Sequence, residues 1–271
     1  TISNGLKSFD TDGFTVGNQQ DNGKSGDNYV AWNWKANGSG SSNTAGDINS
    51  TVSVNADAGF SIVSYTANGS ATDTVGHGLS QTAEMVFIKR RSGSRSWHVG
   101  HKDLPFSSAS NSHNGYLTLD GTGANSPTNG GRANIPNATT FQGEDSNNAT
   151  MIAYCFHSVD GYSKVGSYTG NGNADGTFVY TSFAPAFILF KRTNSSSEAW
   201  RIYHNKVEPY NPNKQVLSPN SGGAEGGANN EVDFLSNGFK IRTSWNGMNG
   251  SGENYIYLCF AETPFKYSNG K

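Results

Sequence analysis

A run of six apolar or aromatic residues occurs three times along the chain and limits its fold more than any other feature. It reads Tyr29-Val30-Ala31-Trp32-Asn33-Trp34, then Met151-Ile152-Ala153-Tyr154-Cys155-Phe156, then Tyr255-Ile256-Tyr257-Leu258-Cys259-Phe260. Two copies share a lead-in, Ser25-Gly26-Asp27-Asn28 and Ser251-Gly252-Glu253-Asn254. A short apolar run bounded by Gly, Asn and Ser reads as a strand buried on both faces. It is too short to span a bilayer and lacks the length and caps of a helix.

The runs close longer matches. Phe9, Gly13-Phe14 and Tyr29 recur as Phe234, Gly238-Phe239 and Tyr255, at offsets of 225 or 226 residues. Between the second and third copies, Ser64-Tyr65-Thr66 matches Ser167-Tyr168-Thr169, Phe87-Ile88-Lys89-Arg90 matches Leu189-Phe190-Lys191-Arg192, and Trp97/His101 matches Trp200/His204, at offsets of 102–104. Such self-similarity marks a duplicated unit. Each unit shows about six strand-like segments separated by Gly/Asn/Ser turns and no amphipathic helix, which predicts antiparallel sheet.

The expected fold is therefore all-β: tandem antiparallel β-sandwich repeats of about 100 residues, jelly-roll or concanavalin-like. Residues 1–34 read as the C-terminal part of an incomplete repeat, 35–58 as a flexible linker whose one alternating stretch, Ile48–Val54, suits an edge strand, 59–160 as the first repeat and 161–271 as the second. Residues 1–34 are expected to pair with strands from outside their own segment, since a lone hairpin is barely stable. One larger jelly-roll built from both halves is the alternative architecture. Thr1 in place of Met leaves open a processed product or a part of a longer protein.

With 34 Gly and only 15% charged residues in 271, the surface is polar through amides and hydroxyls. A formal charge of −2 gives no electrostatic reason to bind nucleic acid. The basic run Lys89-Arg90-Arg91 reads as a solvated strand end. No stretch suits membrane insertion or a signal peptide. Cys155 and Cys259 hold equivalent places and read as two separate buried thiols. No metal spacing is present, and no cofactor is expected.

Four-residue spacing on a strand puts Trp97 with His101, and Trp200 with His204, on one face. An indole beside an imidazole suits stacking on a sugar ring; shared structural aromatics are the competing reading. Trp245, in the loop Arg242–Gly247, breaks the repeat and suits ligand contact, packing under its own loop, or a subunit interface. Tyr210 and Tyr203 are further candidates. Glu231-Val232-Asp233-Phe234 resembles one half of the catalytic strand of laminarinase-like glucanases, but Leu235 and Ser236 follow where a second carboxylate is needed, so glycoside hydrolysis is rejected. Asn171–Gly176 matches half of a calcium loop and lacks the closing acid at Ser182, so a simple turn is expected. His77 and His113 read as loop residues.

The phrases Gly13-Phe14-Thr15-Val16-Gly17, Ser25–Ala36, Gly59–Thr66, Gly76-His77-Gly78-Leu79 and Cys259–Phe265 resemble repeats in large virion structural proteins of marine, cyanophage-like tailed phages. Those repeats are often labelled lectin-like, concanavalin- or SPRY-like. The resemblance spans nearly the whole chain. It implies a non-enzymatic virion component, part of a tail fibre or appendage, in contact with other virion subunits as a homo-oligomer and offering its sandwiches to cell-surface glycans. A purely structural capsid decoration or fibre-shaft protein is the alternative, and a polysaccharide-degrading enzyme has the least support.

Overall fold

The computed structural model describes residues 5–19, 22–70, 72–104, 106–108, 111–126, 133–135, 137–144, 146–227 and 231–263, with backbone alone over 106–108 and 111–114. These divide into two units, 1–35 and 36–271.

In the first unit, β1 (Leu6–Phe9) and β2 (Phe14–Val16) form an antiparallel hairpin with Phe9 opposite Phe14. Its turn is closed by the Asp10 N–H on the Gly13 carbonyl and by the Thr15 hydroxyl on the Asp10 carboxylate. Phe9 remains 82% exposed. Residues 29–34, expected as a strand buried on both faces, form no strand, and Tyr29 and Val30 are exposed. Such a strand needs a neighbour on each edge and a layer on each face, and among its described residues this unit offers only the hairpin.

The second unit begins with β3 (Ser41–Asn43), β4 (Ser50–Asn55), β5 (Phe60–Asn68), β6 (Thr74–Gly76), β7 (Met85–Arg90) and β8 (His98–His101). It continues through β9 (Phe106–Ser108), β10 (Asn111–Asn114), β11 (Leu117–Thr118), β12 (Thr140–Gln142) and β13 (Asn147–Phe156). Then come β14 (Ser163–Thr169), β15 (Phe178–Tyr180), β16 (Pro185–Arg192), β17 (Arg201–His204), β18 (Val232–Leu235), β19 (Gly238–Ile241), the single helical turn α1 (Asn246–Asn249) and β20 (Asn254–Ala261). The unit is all-β and antiparallel, as the turn-punctuated sequence predicts.

Its larger sheet runs β11-β8-β7-β13-β5-β4-β3 and a second runs β17-β16-β20-β14, so β8-β7-β13-β5 recurs as β17-β16-β20-β14. The apolar runs β13 and β20 are the inner strands, each hydrogen-bonded on both edges. A small sheet covers one face of each: β6-β12 over the first, β15-β19-β18 over the second. Tyr65, Val75, Phe141, Met151 and Cys155 belong to the first core; Tyr168, Val179, Phe239, Tyr255 and Cys259 belong to the second. The opposite faces of the two larger sheets meet, with Phe156 edge-on to Phe260 at 6.0 Å between ring centres. Alternate residues of β20 thus enter two interiors, Tyr255, Tyr257 and Cys259 one, Ile256, Leu258 and Phe260 the other, and all are buried. That two-sided burial explains why the run is continuously apolar.

The expected linker is structured. Its alternating stretch becomes β4, β3 adds beyond it, and Ile48 and Val52 are buried in the first core. Each sandwich opens on a glycine in the left-handed region, Gly59 (φ +60) and Gly161 (φ +73). At Gly59 an added Cβ would lie 2.7 Å from the His157 carbonyl oxygen, so Gly59→Ala is expected to cost about 1–3 kcal/mol. A urea midpoint unchanged by that substitution would contradict this account of the turn.

Candidate binding grooves

The sequence candidates fall in unlike environments. Trp200 is fully buried, with its indole Nε1–H donating to the Thr118 carbonyl at 2.7 Å, so the indole has no face for a sugar. Its counterpart Trp97 is half-buried, stacked on Tyr154 with Lys89 Nζ 5.8 Å from its ring centre. His101 is buried and its Nδ1 accepts the Asp103 N–H; His204 is buried with Nε2 3.5 Å from Glu225. Three of the four paired residues are therefore structural. The two sandwiches bury different amounts of one repeated motif because the second turns Trp200 toward β11 of the first.

Trp245 lies against Gly247, where an added Cβ would come within 2.2 Å of the indole, and the Arg201 guanidinium covers its ring at 4.2 Å. It packs under its own loop. Tyr203 is buried and stacked on Phe190. Tyr210 alone stands free, 83% exposed.

His77 is a core residue: it is fully buried, and its Nδ1 accepts the Leu79 N–H at 3.1 Å. The side chain of His113 lies outside the described residues. Asn171–Asp175 is a pair of side-chain-capped turns, Asn171 Oδ1 accepting the Asn173 N–H and Asn173 Oδ1 the Asp175 N–H, as the turn reading expects. Asp233 pairs with Arg242 at 3.5 Å. Glu144 is buried between Arg95 and His98, which pin β8 to the loop after β12. Cys155 and Cys259 are separate buried thiols, as expected, and burial pushes both well above the usual thiol range.

What the residue candidates do not show is a pair of grooves at the same place in the two sandwiches. One, of about 340 Å³, is lined by Ser64, Arg91, Thr150 and Met151 with Ser42, Asn49 and Thr51 of the added edge. The other, of about 440 Å³, is lined by Ser167, Thr193, Asn254 and Tyr255 with Asp103, Asn125 and Asn194. The strand registers superpose them. Met151 is opposite Tyr65 and Tyr255 opposite Tyr168, while the Arg91 N–H donates to the Thr150 carbonyl as the Thr193 N–H does to that of Asn254.

Residues with hydroxyl or amide side chains are the commonest in both walls; the first groove's surface is mainly polar, while Ala124, Tyr255 and Ile256 help make the second's more apolar than polar. Each groove carries one charged side chain, Arg91 in the first and Asp103 in the second. Such a lining offers many modest hydrogen bonds to a polyhydroxylated ligand, with an apolar patch beside them in the second groove. The signal for it was present: Ser64-Tyr65-Thr66 and Ser167-Tyr168-Thr169 are repeated polar–aromatic–polar triplets, and Arg91 ends the basic run. Nothing in a linear reading says that β4 walls one groove and the Asp103 and Asn125 loops the other.

Comparison with known families matches nearly the whole chain. A model described as a domain of unknown function (DUF7483) matches residues 1–264. The chain belongs to the DUF7483 family. No curated protein and no solved structure matches it. The DUF7483 match takes in the hairpin of the first unit as well as both grooves, so the family is defined over all of these segments together.

Proposed function

We propose that the chain is a non-enzymatic glycan-binding component of a virion appendage, with one shallow sugar site in each sandwich. The observation that carries this reading is the recurrence of a hydroxyl- and amide-lined groove at the same register of both sheets. Two weak sites on one body suit surface glycans, where linked sites multiply affinity without new contacts. The virion setting rests on the resemblance of the repeated phrases. A hydrolytic role would need two carboxylates flanking one bond, and Asp103 is the single acid lining either groove.

Arg91 gives the first groove a preference for sugars bearing carboxylate or sulfate, through charge-assisted hydrogen bonds. On a glycan array, Arg91→Ala is expected to weaken binding of acidic glycans about tenfold or more, and Asn254→Ala to weaken the second site while leaving the first intact. Silence on every array and on whole host cells would leave the structural reading, a capsid decoration or fibre shaft, in its place.

A further inference from the structure

The two sandwiches differ most on one side. In the first, a single extended segment closes both sheet edges. Ile48 bridges Val75 of β6 in parallel, its N–H donating to the Thr74 carbonyl at 3.0 Å, while the Asp47 carboxylate accepts the Thr74 N–H at 3.0 Å and the Thr74 hydroxyl at 2.7 Å. The same segment continues as β4, with Thr51 opposite Ser64 on the edge of β5, and the Ser50 hydroxyl donates to the Gly76 carbonyl. The second sandwich follows the first through only four residues, 157–160, and has no such segment ahead of it. Its equivalents of Thr74, Gly76 and Ser64 are Phe178, Tyr180 and Ser167.

Hydrogen-bond parity shows which groups point outward. Thr177 accepts from the Ile241 N–H and Thr181 donates to the Asn237 carbonyl, so the odd residues of β15 face β19 and the N–H and C=O of Phe178 and Tyr180 face away. On β14 the even residues face β20, since Tyr162 accepts from Ala261 and Gly170 donates to Glu253; Ser167 therefore faces away. One contact replaces part of the missing segment: Lys164 Nζ donates to the Tyr180 carbonyl at 3.3 Å, where Ser50 serves Gly76. Among the described residues the Phe178 backbone has no outer partner, and Phe178 and Tyr180 are 44% and 57% exposed.

We propose that this edge docks an extended segment of a separate polypeptide, carrying an acid followed by an aliphatic residue, in the way Asp47-Ile48 docks on Thr74-Val75. The carboxylate takes the Phe178 N–H, the next amide donates to the Phe178 carbonyl, and the aliphatic side chain lies beside Val179. This is β-augmentation of an open edge. Charge favours an acid there. Lys164 lies 5.6 Å from the Tyr180 ring centre and Lys240 is opposite Phe178; together with Arg242 they make three cations against Asp175 and Asp233. The docked segment is shorter than its intramolecular counterpart. Gly76 leaves room for Asn43, whose Oδ1 would lie 2.1 Å from an added Cβ, whereas the equivalent residue of the second sandwich, Tyr180, carries a side chain.

The probe is a fluorescein-labelled peptide of residues 46–52, Gly-Asp-Ile-Asn-Ser-Thr-Val, titrated by anisotropy with the full chain. Saturable binding at one site is expected, weakened at least tenfold by asparagine in place of the peptide's aspartate and by N-methylation of its isoleucine amide. Phe178→Pro removes the outward N–H at a position where an edge strand tolerates proline, so the melting temperature should hold while peptide binding is lost. Flat anisotropy, indifference to N-methylation, or full binding to a folded Phe178→Pro protein (the mark of strand exchange in the first sandwich) would each overturn the proposal. Neither groove includes Phe178, so glycan binding by this variant separates the two readings.

Discussion

Replacing Trp200 by alanine lowers the stability of the 36–271 unit by about 3–5 kcal/mol, seen as a shift of the urea midpoint at unchanged pH. The indole is fully buried, and its Nε1–H is the hydrogen-bond partner of the Thr118 carbonyl at the edge of the first sandwich. Truncation leaves both a cavity and a carbonyl without that donor, and the loss approaches the whole stability of many domains. The repeat supplies the control. Trp97→Ala, at the equivalent position, removes a half-buried ring stacked on Tyr154 at 6.1 Å and is expected to cost about 1 kcal/mol. Equal midpoints for the two variants would mean that Trp200 does not couple the sandwiches as its contacts indicate.

Acid is the second strong perturbation. Burial holds His77 at about 4 against an ordinary value of 6.5, with His157 nearby adding to the effect. Burial holds His101 at about 4 as well, with Asp103 opposing the shift and Lys102 assisting it. Both rings fold neutral, so the unfolded chain binds more protons. The stability they confer is complete above the unfolded value of 6.5, begins to fall below it, and is gone once pH drops through about 4. At about 1.4 kcal/mol per pH unit this amounts to roughly 3 kcal/mol for each ring between pH 7 and pH 4. Urea midpoints at pH 7.5, 5.5 and 4.5 should decline in that order. His101→Gln should flatten the decline by about half whatever it does to stability at pH 7.5. An unaltered slope would show that His101 titrates normally.

Much of the architecture was legible in local pattern. Two of the three continuous apolar runs gave inner strands, Gly-Asn-Ser clusters gave turns, and the offsets matched strand to strand, so that Phe234 and Phe239 face each other as Phe9 and Phe14 do. The equivalent positions of Cys155 and Cys259 already pointed to core thiols. Within residues 35–58 the alternation of Ile48–Val54 marked the edge strand β4, but the surrounding polar, glycine-rich composition reads as a flexible tether and hid β3 and the packing of the segment. Burial of Ile48 and Val52 against a sheet folded from later residues separates the two.

The candidate site was less legible, for a related reason. Trp97 and Trp200 are the same letter in the same phrase, and exposure distinguishes them only through what the other sandwich places beside each ring. The grooves combine strand ends that repeat with walls that do not, Asn49–Thr51 in one case and Asp103 with Asn125 in the other.

What the sequence by itself determined is the repeated unit: its strands, turns, buried thiols and duplicated polar triplets, all set by side-chain period and glycine placement within short windows. The tertiary structure alone decided which copy of each motif is covered. Residues 29–34 form no strand while 151–156 and 255–260 each lie between two neighbours, and one sandwich has its edges closed by a segment the other lacks. Pairing and burial depend on which edges and faces arrive from distant parts of the chain, and identical local patterns carry no record of that.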